Sequence, residues 1–139
     1  MRIVLSGVLL TLLMPAAGLA ADEADRQAAR GTITRQIEAF RRNDPATAYD
    51  QAAPQIRTLF PSPETFLAMV EKGYPAVLRP RSYSFAGSED TGEDEITQGL
   101  SLQDENGIDW LAVYSLQKQT DGQWRITGCQ LRKAPGSNT

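Results

Sequence analysis

Hydrophobic residues in the first half of the chain repeat at helical spacing. Ala29, Ile33, Ile37 and Phe40 fall four, four and three residues apart, a narrow stripe for one buried face, while Arg26, Arg30, Glu38 and Arg41 occupy solvated positions. This predicts a first helix over 24–42. Gly31 weakens it by about 1 kcal/mol relative to Ala and opens a kink or a fresh start at Thr32. Asn43-Asp44-Pro45 closes that helix and starts a second over 45–53, with Asp44 as N-cap, Pro45 at the first helical position and Pro54 as the stop. Ala48, Tyr49 and Ala52 point inward. Ile56, Leu59 and Phe60 make a short apolar turn of helix, and Ser62-Pro63 repeats the cap-plus-proline start for a third helix over 63–72. That helix buries Phe66, Met69 and Val70 and ends with Gly73 at C′. Pro75 and Pro80 hold the connector 74–81 extended or barely helical.

Beyond Arg81 the period changes to two. A strand over 81–86 puts Tyr83 and Phe85 on one face, and 87–94 reads as a polar loop in which Glu89, Asp90, Glu93, Asp94 and Glu95 cluster. A second strand over 96–103 aligns Ile96, Leu100 and Leu102, with Gly99 at a bulge. Glu105-Asn106-Gly107 and Thr120-Asp121-Gly122 mark hairpins flanking a strand over 108–117, and 123–131 forms the last strand. Residues 133–139 are a polar tail expected to fray. Three helices followed by a four-stranded antiparallel meander make an α+β fold, a single domain over 21–132 with the helices on one sheet face. Trp110, Ala112, Tyr114 and Leu116 share one face of the longest strand, and Leu111 and Val113 the other. Two apolar faces suggest helices on one side and a second copy on the other, a homodimer through the sheet; alternation alone leaves open which parity meets the helices.

The first residues change the picture of where the domain works. Met1-Arg2, an uncharged apolar run over 3–13, Pro15 and the small residues Ala16-Ala17-Gly18-Leu19-Ala20-Ala21 have the order of a secretory signal peptide over 1–20, cleaved after Ala20 or, alternatively, Ala21. The apolar run is about half of the roughly 20 residues that a membrane span needs. The mature part is expected in the periplasm or secreted, with no membrane span. Removing Arg2 takes the 14 Lys and Arg to 13 against 17 Asp and Glu, a net charge of −4, which argues against nucleic acid as a partner.

Candidate chemistry is limited by what the composition lacks. With no His and one Cys, Cys129, the chain carries no Ser-His-Asp triad, no Cys-His pair, no His-containing zinc site and no CxxC redox pair, and an internal disulfide is impossible. Cys129 reads as a buried strand thiol, with intermolecular pairing as the alternative. The acidic cluster lacks the alternating Asp/Asn pattern and closing Glu of a calcium loop, so no metal and no cofactor is expected. Arg79 and Arg81, two apart in an extended segment, point the same way; they converge on an anionic ligand or pin the helix-to-sheet crossover.

Three stretches carry a family resemblance: Gln36-Ile37-Glu38-Ala39-Phe40 with Asp44 and Ala48-Tyr49; Gly73-Tyr74-Pro75-Ala76-Val77-Leu78-Arg79-Pro80-Arg81-Ser82; and Gly122-Gln123-Trp124-Arg125-Ile126-Thr127-Gly128-Cys129-Gln130-Leu131. Together, over about Thr32 to Leu131, they resemble the bacterial family called domain of unknown function 4864, similar in layout to the nuclear transport factor 2-like, or cystatin-like, superfamily. The resemblance implies a conical half-barrel whose curved sheet wraps the helices, with an apolar pocket at the open end. It brings no catalytic residues. Tyr49, Tyr74, Tyr83 and Tyr114 are candidates to line that pocket, with Trp110 on the same strand face as Tyr114. The reading is a non-catalytic periplasmic ligand-binding or interaction module. The competing class is a ketosteroid-isomerase-like lyase or isomerase acting on an apolar substrate, which needs a buried carboxylate such as Asp50 or Asp109 beside a Tyr. A structural envelope subunit, its pocket filled by side chains, is the third.

Overall fold

The computed structural model describes residues 21–135; the expected signal peptide over 1–20 and the end of the tail, 136–139, lie outside the described residues. Five helical segments precede the sheet: α1 (Glu23–Arg41), α2 (Pro45–Asp50), α3 (Pro54–Leu59), α4 (Pro63–Gly73) and α5 (Pro75–Leu78). Four strands follow, β1 (Ser82–Gly92), β2 (Glu95–Gln103), β3 (Asp109–Lys118) and β4 (Trp124–Lys133), in the antiparallel order β1-β2-β3-β4.

The local signals act at the helix starts. Asp22 caps α1 by accepting from the Asp25 N–H at 2.9 Å, Asp44 caps α2 through the Thr47 N–H at 3.1 Å, and Ser62 caps α4 through the Thr65 N–H at 3.1 Å. Four helices begin on proline, whose missing N–H falls where no intrahelical partner exists. Pro54, expected as a stop, opens α3 in this way. Gly31 introduces no break, because α1 buries a continuous face of Ala29, Thr32, Ile33, Gln36, Ile37 and Phe40 against the sheet and its neighbours. Gly73 stays within α4 rather than serving as C′, and the connector after it folds into the single turn of α5.

The helices cover the sheet face formed by Ile96, Gln98, Leu100 and Leu102 of β2, Ala112, Tyr114 and Leu116 of β3, and Trp124 and Ile126 of β4. Each large aliphatic side chain removed from water here contributes about 1.5–3 kcal/mol. That settles the parity of β3: Leu111 and Val113 lie half-buried on the opposite face. Both Gly-containing turns have the positive φ that hairpins require, 79° at Gly107 and 83° at Gly122.

β1 runs further than its sequence pattern suggests. The polar stretch expected as a loop pairs with β2 through Ser88, Glu89 and Asp90, and only Glu93-Asp94 turns the chain. The alternation vanishes there because β1 is an exposed edge and carries a bulge. Phe85 pairs with Leu100 and Ser88 with Gln98, so Ala86 and Gly87 together face Gly99. The fully buried Gln98 closes the bulge, donating its amide to the Ala86 carbonyl at 2.9 Å and accepting from Arg30 Nε at 3.1 Å. A further irregularity, in the β3–β4 pairing, leaves Thr127 unpaired between Ile126 and Gly128.

The start of α1 is tied to the sheet by Asp25, whose carboxylate accepts from Trp124 Nε1 at 3.2 Å and Lys118 Nζ at 3.3 Å. Desolvation pushes its pKa up, but these bonds and the Asp22 N–H more than offset that, so it titrates below the ordinary aspartate range. A depressed folded pKa means stabilisation that is present above the unfolded value, about 4, and lost as pH falls through the folded one. Urea titrations from pH 3 to 7 are therefore expected to show Asp25→Asn less stable than wild type by about 1 kcal/mol at pH 7, with the difference closing toward pH 3.

Candidate functional site

A cavity of about 300 Å³ lies between the helices and the β4 side of the sheet. Its floor is buried: Phe40 of α1, Phe66 and Val70 of α4, Val77 of α5, Tyr114 of β3 and Ile126 of β4. Its rim is half-buried and comes from Ile56 and Phe60 at α3, Met69 of α4, Tyr74 and Cys129. Local sequence explains the hollow. α3 is a single short helix with no buried residue, and Ala52 at its approach and Gly128-Cys129 on the facing strand are too small to fill the space between them. Leu59, at the end of α3 beside this rim, is the exposed large hydrophobic residue of the described chain, at 70 %.

The lining is apolar and carries no charged side chain. Its polar groups are few. The buried Gln36 amide is committed to the Ala48 carbonyl at 3.1 Å. The Tyr114 hydroxyl is different: the residue is 1 % exposed, and among the described residues its oxygen is the buried side-chain polar atom without a hydrogen-bond partner. Cys129 is its cross-strand neighbour, close enough to influence its titration without meeting the geometry of a hydrogen bond. Burial first, and then the Cys129 sulfur, push the phenol well above its ordinary pKa, so it stays a neutral donor. Burial likewise pushes the Cys129 thiol up to about 12, against a smaller downward pull from Tyr114.

Of the residues singled out by sequence, Tyr74 and Tyr114 line the cavity and the others do not. Tyr49 stands behind the wall, its ring 5.7 Å from that of Phe66 and its hydroxyl donating to the Phe60 carbonyl at 2.7 Å. Tyr83 is held at the other end of the sheet by Glu38, at 2.8 Å, under the Arg41 guanidinium. Trp110 donates to Asp104 at 2.8 Å beneath Lys133. Arg79 and Arg81 do not converge. Arg79 follows the turn of α5 and reaches Asn43 at 2.6 Å, while Arg81 starts the sheet and lies over Gly107 in the β2–β3 hairpin. The two side chains reach different parts of the chain and do not form an anion clamp. Asp50 and Asp109 are exposed and away from the cavity. Among the described residues no three metal-ligating side chains come together.

Sequence reasoning assigned Met69 to the core and Cys129 to a buried strand, and gave no role to Gln36 or to the rim formed by Ile56 and Phe60. The available signal was the run Ile56, Leu59, Phe60: three large apolar residues on a helix too short to bury them.

Residues 22–139 match the family model described as Domain of unknown function (DUF4864). The fold is similar to that of an NTF2-like protein of unknown function from Shewanella baltica OS155, at 11 % identity and a TM-score of 0.55, covering 84 % of this chain and 99 % of that one. It is also similar to a cyanobacterial iota-carbonic anhydrase solved with bicarbonate, at 17 % identity and a TM-score of 0.50, covering 88 % and 98 %. At such identities the likeness is one of fold, and the fold is NTF2-like. No curated protein matches the chain.

With a pKa near 12, Cys129 is about one part in ten thousand thiolate at pH 8. Alkylation by iodoacetamide at pH 8 is expected to be at least a hundredfold slower in the folded protein than in urea. Equal rates would place the thiol in water.

Proposed function

The chain belongs to the family Domain of unknown function (DUF4864), and we propose that it is an exported, non-catalytic domain that binds a small apolar ligand in the cavity between α3, α4 and β4. The observation that carries this reading is the lining itself: a hollow floored by buried aromatic and aliphatic side chains, uncharged, with a half-buried rim that gives access. A core that served packing alone would gain by filling such a space, since cavity volume lowers stability. Export rests on the order of charge, apolar run and small residues over 1–20.

An isomerase-like chemistry needs a carboxylate at the bound substrate, and the lining offers none. An anion such as bicarbonate would find no cation in it either. Neither argument bears on chemistry elsewhere on the chain. Self-association belongs to the outer sheet face, where half-buried Leu111 and Val113 lie between Gly99 and Ser101 on β2 and Gln130 and Arg132 on β4. A monomeric mass by light scattering at micromolar concentration would remove that contact.

Met69 stands on the rim, so Met69→Trp fills the cavity with least disturbance of the floor. A fluorescent apolar probe is expected to bind wild type and to bind Met69→Trp at least tenfold more weakly, with the melting temperature of the variant little changed. Undiminished binding by a folded Met69→Trp would move the site elsewhere.

A further inference from the structure

Buried polar side chains in this domain are otherwise paired. Thr32 donates to the Trp124 carbonyl at 2.8 Å, Gln36 to Ala48, and Gln98 joins Arg30 to the β1 bulge. The Tyr49 and Tyr83 hydroxyls both have acceptors. Tyr114 alone among the described residues keeps a buried hydroxyl without a partner, and it does so on the floor of the cavity. A hydroxyl in that position costs stability unless something supplies the missing bond, and a phenylalanine would fill the same core volume without the cost. From this, and resting on the pocket reading above, we propose that the ligand is an uncharged, largely hydrocarbon molecule bearing one hydrogen-bond-accepting oxygen, of the ketone or ester class, and that the Tyr114 hydroxyl donates to that oxygen.

Three features of the site define the class. The phenol is a donor that does not ionise, because burial holds it protonated. The lining has no Lys or Arg, so a carboxylate or phosphate headgroup would be desolvated without a counter-charge. The rest of the wall is apolar: Phe40, Phe66, Val70, Val77 and Ile126 around the floor demand hydrocarbon. Cys129, facing Tyr114 across the strand pair, is a neutral thiol and adds only a weak, soft contact beside the same oxygen. The polar end of the ligand thus lies innermost and its hydrocarbon tail leads out past Met69 and Phe60.

Matched ten-carbon probes test this: 2-decanone, decane and decanoate, competed at pH 8 against a fluorescent apolar probe on wild type and on Tyr114→Phe. The expected order on wild type is ketone, then alkane, then carboxylate. Tyr114→Phe should weaken the ketone about tenfold and leave the alkane unchanged, the loss of one uncharged hydrogen bond. The carbonyl stretch of bound 2-decanone should lie lower on wild type than on the variant. Equal affinities for ketone and alkane on wild type, with an unshifted carbonyl, overturn the assignment of Tyr114 while the pocket reading stands, and this comparison does not depend on the variant folding. Decanoate as the tightest probe overturns the ligand class. Failure of all three to displace the fluorescent probe overturns the pocket reading together with the inference.

Discussion

Two backbone hydrogen bonds at Ile126 hold the helical layer to the sheet where the site forms. Its N–H donates to the Gln51 carbonyl at 2.9 Å and its carbonyl accepts from the Ala53 N–H at 2.8 Å, a one-residue parallel bridge centred on Ala52. The link between α2 and α3 thereby becomes a fragment of a fifth strand on the β4 edge. It satisfies groups that an edge would leave open and takes up edge surface that would otherwise template pairing with another chain. Neighbouring bonds brace it: Arg35 Nε donates to the Gln51 side-chain oxygen at 3.1 Å, and Arg57 Nε to the Ala52 carbonyl at 3.1 Å.

The cavity follows from that bridge. Because the chain is pinned at Ala52, α3 starts at the sheet edge and brings Ile56 and Phe60, half-buried against the core, to the rim of the hollow beside β4. Beyond Ile126 the extra residue Thr127 shifts the register of β4, so that Cys129 comes opposite Tyr114. Tyr49 then holds the far end of α3 through the Phe60 carbonyl. The hollow is thus bounded by an edge bridge on one side and a tyrosine tether on the other. Tyr114, on an inner strand, faces the weakly polar Cys129 thiol across the strand pair, and its hydroxyl meets no partner in hydrogen-bond geometry. An acceptor entering the hollow would supply the bond that the described residues do not give this hydroxyl.

Much of this is legible in the sequence. The proline starts at Pro45 and Pro63, the caps at Asp44 and Ser62, the inward stripe of α1 and the turns at Gly107 and Gly122 are local effects, and local effects leave local signatures. What the sequence did not show is where distant segments meet. The Ala52–Ile126 bridge is made by backbone atoms and has no side-chain signature at all. β1 beyond Ala86 was hidden because an exposed edge strand has no buried face to impose alternation, and the bulge at Ala86-Gly87 resets what little there is. Among the candidate aromatics, Tyr49, Tyr83 and Trp110 are held by acceptors that side-chain type does not reveal, at Phe60, Glu38 and Asp104, leaving Tyr74 and Tyr114 at the cavity. Arg79 and Arg81 diverge for a related reason: spacing of two gives a common direction only in a continuous strand, and both lie in the link between α5 and β1, outside any strand.

The proposed ligand site is the hollow beside the Ile126 bridge. Isotope-filtered nuclear Overhauser spectroscopy on methyl-labelled protein, saturated with an unlabelled ketone, reads this directly. The expected result is contacts from the ligand to the methyl groups of Ile56, Val70 and Ile126. Contacts confined to Leu111 and Val113 on the outer sheet face would contradict it.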